Sequence, residues 1–257
     1  MGVYVIAEIG INHNGDIDLA RRMIDAAKGC GADAVKFQLY EAEKVLQDMP
    51  ELIPQVKHTE LTEGSYYTIA EYANSVGIDC SASVFGADRL EWLVKTNPPW
   101  YKIASRSSAH NRAFTILVLN ECADRMGKTV YVSLGMMNQL EWRPRIDLMH
   151  QYVNYPNAKF MYCKSQYPAE YSGDDMEEWF AMPLGGSLFG GKFIGFSDHA
   201  AGIEPSLWAI AQGATVIEKH FTLDRNMPGV DQKASIEPHE LKLLCKLAPG
   251  IAAIAAL

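Results

Sequence analysis

The run TVIEKHF, residues 215–221, begins as a buried strand begins, with β-branched apolar side chains, and then places a carboxylate (Glu218), an amine (Lys219) and an imidazole (His220) in succession. Side chains two apart share a face of a strand, so Glu218 and His220 point together and Lys219 points to the other side. Seven more runs of the same kind precede it, at 3–10, 34–38, 79–83, 100–105, 129–135, 158–165 and 193–198. Between them lie stretches of helical period, among them 16–29, 62–75, 113–125, 139–152 and 203–211, several closed by a glycine (Gly29 and Gly31, Gly77, Gly127, Gly213). The alternation predicts parallel βαβ units. Eight such units in 257 residues predict a single α/β domain over 1–257, a TIM (β/α)8 barrel, since a doubly wound sheet would use only five or six of the strands. The connection 40–61, with Pro50 and Pro54, is expected to be a mobile flap.

Composition narrows the partners. A net charge of -8 and a pI near 5.4 argue against nucleic acid or a membrane surface and leave a small ligand as the expectation. No apolar run reaches eighteen residues, and the N-terminus has no basic segment before its apolar one. Ile6 stands where a myristoylation signal would want Ser or Thr. The five cysteines, at 30, 80, 122, 163 and 245, show no C-x-x-C spacing and are expected to be small core residues in a reducing, cytoplasmic setting.

A TIM barrel carries its chemistry at the C-terminal ends of its strands. Every predicted strand delivers polar groups there: Glu8 and then Asn12-His13-Asn14-Gly15, Lys36 and Gln38, Ser81 and Ser83, Lys102 and Ser105, Ser133, Lys164 with Ser165 and Tyr167, Ser197-Asp198-His199, and Glu218-Lys219-His220. Alternation turns Lys36 with Gln38, Ser197 with His199, and Glu218 with His220 into the barrel. Two inward histidines on adjacent strands, His199 and His220, suit one divalent metal with water or substrate oxygens completing it, against the alternative of hydrogen-bonded core histidines. Lys36 and Lys102, with nearby hydroxyls, suit a phosphate and a carboxylate. The competing arrangement pairs each lysine with an interior acid, Glu8 or Glu218.

The segments AEIGINHNGD (7–16), AVKFQ (34–38), YKIAS (101–105), SLGM (133–136), CKSQYP (163–168), GFSDH (195–199), IEKHFTLDR (217–225) and PGVDQKAS (228–235) together resemble the N-acetylneuraminate (sialic acid) synthase family, in family order and over almost the whole chain. The resemblance implies condensation of phosphoenolpyruvate with an open-chain sugar aldehyde, releasing phosphate and giving a 3-deoxy-2-keto acid. It implies a divalent metal, Mn2+ or Mg2+ with Co2+ a further option, on His199 and His220. Lys36, Ser83, Lys102, Ser105, Ser133, Ser165 and Ser197 match positions that bind phosphoenolpyruvate, Gln38, Tyr167 and Asp231 match positions facing the sugar, and Glu8, also on the sugar side, matches a candidate for proton transfer. Other readings of the same barrel are a metal-dependent aldolase or lyase and a non-catalytic sugar or phosphate binder.

Three departures from the family pattern stand out. Ser107 replaces an acid that often lies two past the serine of YKI-small-S, and the neighbouring Arg106 is a candidate reader of a negative substrate. Leu134 replaces a threonine, a change expected to affect packing. Family members usually continue into a small antifreeze-like domain that covers the partner subunit's sugar site with an arginine. This sequence runs only to Leu257, so the resemblance is to the barrel domain alone, with a homodimer or a separate lid polypeptide as possible completions.

Overall fold

The eight runs, rich in the β-branched and aromatic residues that fit a pleated surface, pair in chain order into a closed parallel barrel. They are β1 (Tyr4–Gly10), β2 (Ala34–Leu39), β3 (Asp79–Val84), β4 (Trp100–Ile103), β5 (Thr129–Ser133), β6 (Ala158–Tyr162), β7 (Phe193–Asp198) and β8 (Val216–His220). The barrel closes where β1 pairs with β8, Ile6 beside Glu218 and Glu8 beside His220. The computed structural model describes residues 2–136, 140, 142–172 and 193–256. Helices cover the outside, with Ile17–Cys30 capped by the Asp16 carboxylate and ended by Gly31 at φ 93°, and Glu63–Ser75 capped by the Thr62 hydroxyl. The expected helix 113–125 runs as Arg112–Val118 and then winds wider, as a π-helix, over Leu119–Arg125. The expected helix 139–152 is Trp142–Val153, and Gln139 lies outside the described residues.

Two apolar layers hold the barrel. Outward residues such as Val35, Phe37, Val132, Phe160 and Ile217 pack against the helices, and inside, at the N-terminal end, Ile6, Ala34, Trp100, Tyr131, Met161 and Val216 form a plug. Trp100 and Tyr131 meet at 5.4 Å between ring centres. The plug shuts one end, so any ligand enters from the other.

Three expectations are corrected. β4, β5 and β6 stop two or three residues early, because Ser105 opens the helix Ser105–His110 and the Gly135 amide turns to the Cys163 sulfur instead of continuing a ladder. The stretch 40–61 is wound into short helical turns, Ala42–Val45, Pro50–Leu52, Ile53–Val56 and Lys57–Thr59, around Ile11, Tyr40, Ala42 and Val56. The Tyr40 hydroxyl pins it by donating to the Val56 carbonyl at 2.8 Å. Of the five cysteines, all free, Cys80, Cys122 and Cys163 are buried, whereas Cys30 and Cys245 are only partly covered. Among the described residues no helix is long and apolar enough to cross a membrane.

Gly15 locks the β1 loop to the 40–61 stretch. Its φ is 77°, and a Cβ there would lie 2.3 Å from the His58 carbonyl oxygen. A side chain in the left-handed region costs roughly 1–2 kcal/mol before any clash. Gly15→Ala is therefore expected to lose at least about 2 kcal/mol in urea unfolding, while Gly64→Ala, in open space within a helix, should lose nothing.

Candidate active site

At the open end, Glu8, Lys36, Ser83, Lys102, Ser133, Ser197, His199, Glu218 and His220 are each 5% exposed or less. They surround a cavity of about 450 Å3. Of the residues given a catalytic, substrate or metal role by the family resemblance, all but Asp231 line it: Gln38, Ser105, Ser165 and Tyr167 complete the set.

The floor is an ion cluster. Lys36 Nζ lies 2.8 Å from Glu8 Oε2, 2.8 Å from Ser83 Oγ and 3.7 Å from Glu218 Oε2. Lys102 Nζ lies 2.8 Å from Ser133 Oγ and 3.4 Å from Glu218 Oε1, and Ser197 donates to Glu218 Oε1 at 2.8 Å. Glu218 thus stands between both lysines, and the pairing of lysines with interior acids is the arrangement adopted. Burial opposes the charge on Glu218, but Lys102 and Lys36 hold its pKa below the ordinary carboxylate value. Burial pushes Glu8 the other way, above it, despite Lys36 and the amide of Gln38, which donates to Glu8 Oε1 at 3.0 Å.

Above the floor the two imidazoles face each other with ring centres 5.5 Å apart. His199 Nδ1 lies 2.7 Å from the Lys164 carbonyl oxygen and so donates to it, which leaves Nε2 to accept from the Tyr167 hydroxyl at 3.1 Å. The Tyr167 ring stacks on His199 at 4.2 Å and meets His220 edge-on at 5.6 Å. His220 Nδ1 is buried without a hydrogen-bond partner, and the nearest acid, Asp231 Oδ2, is 3.8 Å away. Burial lowers His199 to about 4 and His220 well below its usual value, so both are neutral, the form that binds metals. Two neutral nitrogen donors, one of them orphaned, fit a divalent ion whose other positions are oxygen. Among the described residues no cluster of three or more His, Cys, Asp or Glu adds a third protein ligand.

Several residues fall elsewhere than expected. Asp231 stands beside His220, its carboxyl pushed up to about 6 by burial. His13 does not reach the cavity: it is fully buried, takes the Gly15 amide on Nδ1 and packs on Phe37. Ser107 is buried away from the cavity and Leu134 is core. Lys219 points outward as alternation predicts and meets Asp198. Sequence reading missed the apolar rim of Val45, Met49, Phe85 and Met136, and the lining role of Cys163. Nothing local marks the rim, because the 40–61 turns bring half of it across the mouth. Arg106 does line the cavity, and pairs with Asp48.

The comparisons agree with this geometry. A sequence-family profile described as NeuB family matches residues 23–254. The N,N'-diacetyllegionaminic acid synthase of Legionella pneumophila is 33% identical over 267 residues, spanning 95% of this chain and 70% of that protein. The human N-acetylneuraminate-9-phosphate synthase is 33% identical over 95% of this chain and 68% of its own length. The crystal structure of N-acetylneuraminic acid synthetase from Leptospira borgpetersenii, in complex with citrate, superposes with a TM-score of 0.86 at 30% identity, over 100% of this chain and 86% of that one.

The burial of His13 sets a pH dependence of folding. Desolvation lowers its pKa from 6.5 to about 4. The unfolded chain therefore takes up this proton first as pH falls. Stability is full above pH 6.5 and drains away towards pH 4, by up to roughly 3 kcal/mol at about 1.4 kcal/mol per unit. The urea stability of the wild type relative to His13→Gln should shrink over that interval, and a constant difference would contradict a buried neutral imidazole.

Proposed function

Since the chain belongs to the NeuB family, we propose that it condenses phosphoenolpyruvate with a sugar aldehyde, releasing phosphate and forming a 3-deoxy-2-keto acid of the nonulosonic type. The observation that carries this reading is the stacking of two chemistries in one cavity: a floor of two ammonium groups with hydroxyls, and above it two facing neutral imidazoles. Lys36 and Lys102, with the hydroxyls of Ser83, Ser105, Ser133, Ser165 and Ser197, form the subsite for the phosphate and carboxylate of phosphoenolpyruvate. Ser105 and Ser165, 2.9 Å apart, present their hydroxyls side by side. Fixed donors of this kind hold the anionic phosphate and carboxylate in place as the enol attacks, because they need no reorganisation.

Gln38 and Tyr167 face the sugar, with Asp231 behind them beside His220. His199 and His220 would hold the divalent metal, Mn2+ or Mg2+ with Co2+ a further option, which supplies Lewis-acid polarisation of a carbonyl. The enol carbon bonds to the aldehyde carbon, and the aldehyde oxygen needs a proton. Glu8, whose burial favours its protonated form, delivers it in this reading and takes one back from the water that adds at the cationic carbon. Loss of phosphate from that adduct leaves the 2-keto group. The apolar rim limits water around these steps.

Incubation with phosphoenolpyruvate, Mn2+ and a panel of aldoses, including N-acetylmannosamine and its 6-phosphate, should release inorganic phosphate only when an aldose is present. Lys102→Met should lower kcat/KM by about 10²–10³-fold, and His220→Ala should abolish turnover. Absence of phosphate release with every aldose would sink the reading.

Arg106 bears on the class of sugar. Arg106 lines the cavity and, among the described residues, its guanidinium pairs with Asp48 alone, whose side chain is 63% exposed. Such a pair contributes little and leaves the guanidinium available to an anionic substituent. Arg106→Ala is expected to raise KM for an aldose phosphate about tenfold, the loss of one charge-assisted contact, with KM for phosphoenolpyruvate unchanged.

A further inference from the structure

Lys219 and Asp198 form a buried ion pair on the outer side of the barrel wall, behind the two imidazoles. Lys219 lies between Glu218 and His220, and Asp198 immediately precedes His199. The two stand in register on neighbouring strands, both at 0% exposure, with Nζ 3.1 Å from Oδ2. Their remaining bonds converge on one residue. Asp198 Oδ1 accepts from the Ala200 amide at 2.8 Å, and Lys219 Nζ donates to the Ala200 carbonyl. Ser206, in the helix Glu204–Ala211, donates to Asp198 Oδ2 at 2.6 Å. Both polar groups of residue 200 are thereby held to the β7–β8 pair.

His199 is fixed from its other side as well. Its ring donates to Lys164 and its carbonyl accepts from the Ala169 amide at 2.8 Å. The strand itself has ended at Asp198, so no ladder fixes the backbone around His199. The ion pair does that instead, and ties it to the strand that carries His220.

Stability does not require charges here. Removing an ammonium and a carboxylate from water costs about as much as their attraction returns, and an apolar pair of similar volume often serves as well or better. What an apolar pair lacks is direction: it cannot grip the amide and carbonyl of residue 200.

We propose that Lys219 and Asp198 are positioning residues, which set the spacing and orientation of His199 and His220 as a two-imidazole metal site. This inference rests on the metal reading given above. Groups that orient a ligating histidine commonly change metal affinity by 10- to 100-fold.

The test is calorimetric titration of Mn2+ into the full chain without substrates. The neutral double variant Asp198→Asn/Lys219→Met keeps both side-chain volumes and avoids stranding a lone buried charge. It is expected to bind Mn2+ 10- to 100-fold more weakly than the wild type. Ser206→Ala, which removes one bond to Asp198, should weaken binding by a smaller factor, above twofold. Ile24→Ala, a truncation in the distant helix Ile17–Cys30, should lower the melting temperature and leave Mn2+ affinity unchanged. A double variant that binds within twofold of the wild type would overturn the proposal and leave the metal reading standing. If the double variant does not fold, unchanged affinity in Ser206→Ala overturns it. A wild type that takes no Mn2+ defeats the metal reading, and this inference with it.

Discussion

Glu218 is the keystone of the barrel mouth. Its carboxylate lies 3.4 Å from one ammonium group and 3.7 Å from another, and accepts the Ser197 hydroxyl. The plug of Ile6, Trp100, Tyr131 and Met161 closes the barrel beneath it, so water cannot reach the floor from below. Lysines in such a place must be paired, since an isolated buried ammonium would lose its proton before it stayed charged. Because Glu218 stands between Lys36 and Lys102, it fixes both heads at the height where their hydroxyl partners, Ser83 and Ser133, complete them. The proposed anion subsite thus depends on the acid that stands between its two lysines.

The barrel was legible because period-2 patterning sets both the strand and the face, and a one-residue error would have put Lys36 among the helices. The same rule separated Lys219 from Glu218 and His220. What was not legible depends on contacts across the chain. No local pattern says whether Lys36 meets Glu8 or waits for an anion, because the residues are 28 positions apart and joined only by the β1–β2 register. The strand ends were overrun at Ser105, Gly135 and Ser165, where the apolar run continues but the hydrogen bonds leave the ladder for a helix start or a sulfur. The 40–61 stretch reads as a loop by its prolines, yet Tyr40 and Val56 supply enough apolar contact to wind it.

Gly135 illustrates how closely the mouth is built. A Cβ there would lie 2.4 Å from Cys163 Sγ and 2.8 Å from Ser165 Oγ. The backbone must pass between a buried thiol and the Ser165 hydroxyl, and only glycine leaves that room. Cys163 is therefore more than filler: its sulfur takes the Gly135 amide at 3.2 Å and turns the chain after β5, while it also lines the cavity.

The charge balance of the floor constrains the proposed reaction. Two lysines and two acids leave no surplus positive charge for an incoming multiply charged anion when all four are ionised. Of the two acids, Glu218 is held ionised by both lysines, whereas burial already favours the neutral form of Glu8. An arriving phosphate that draws Lys36 towards itself weakens the one ion pair that keeps Glu8 charged, and so favours a proton on Glu8. In the proposed reaction, anion binding therefore adds to the burial that already favours a proton on Glu8, and so works in the same direction as the proton delivery proposed for it.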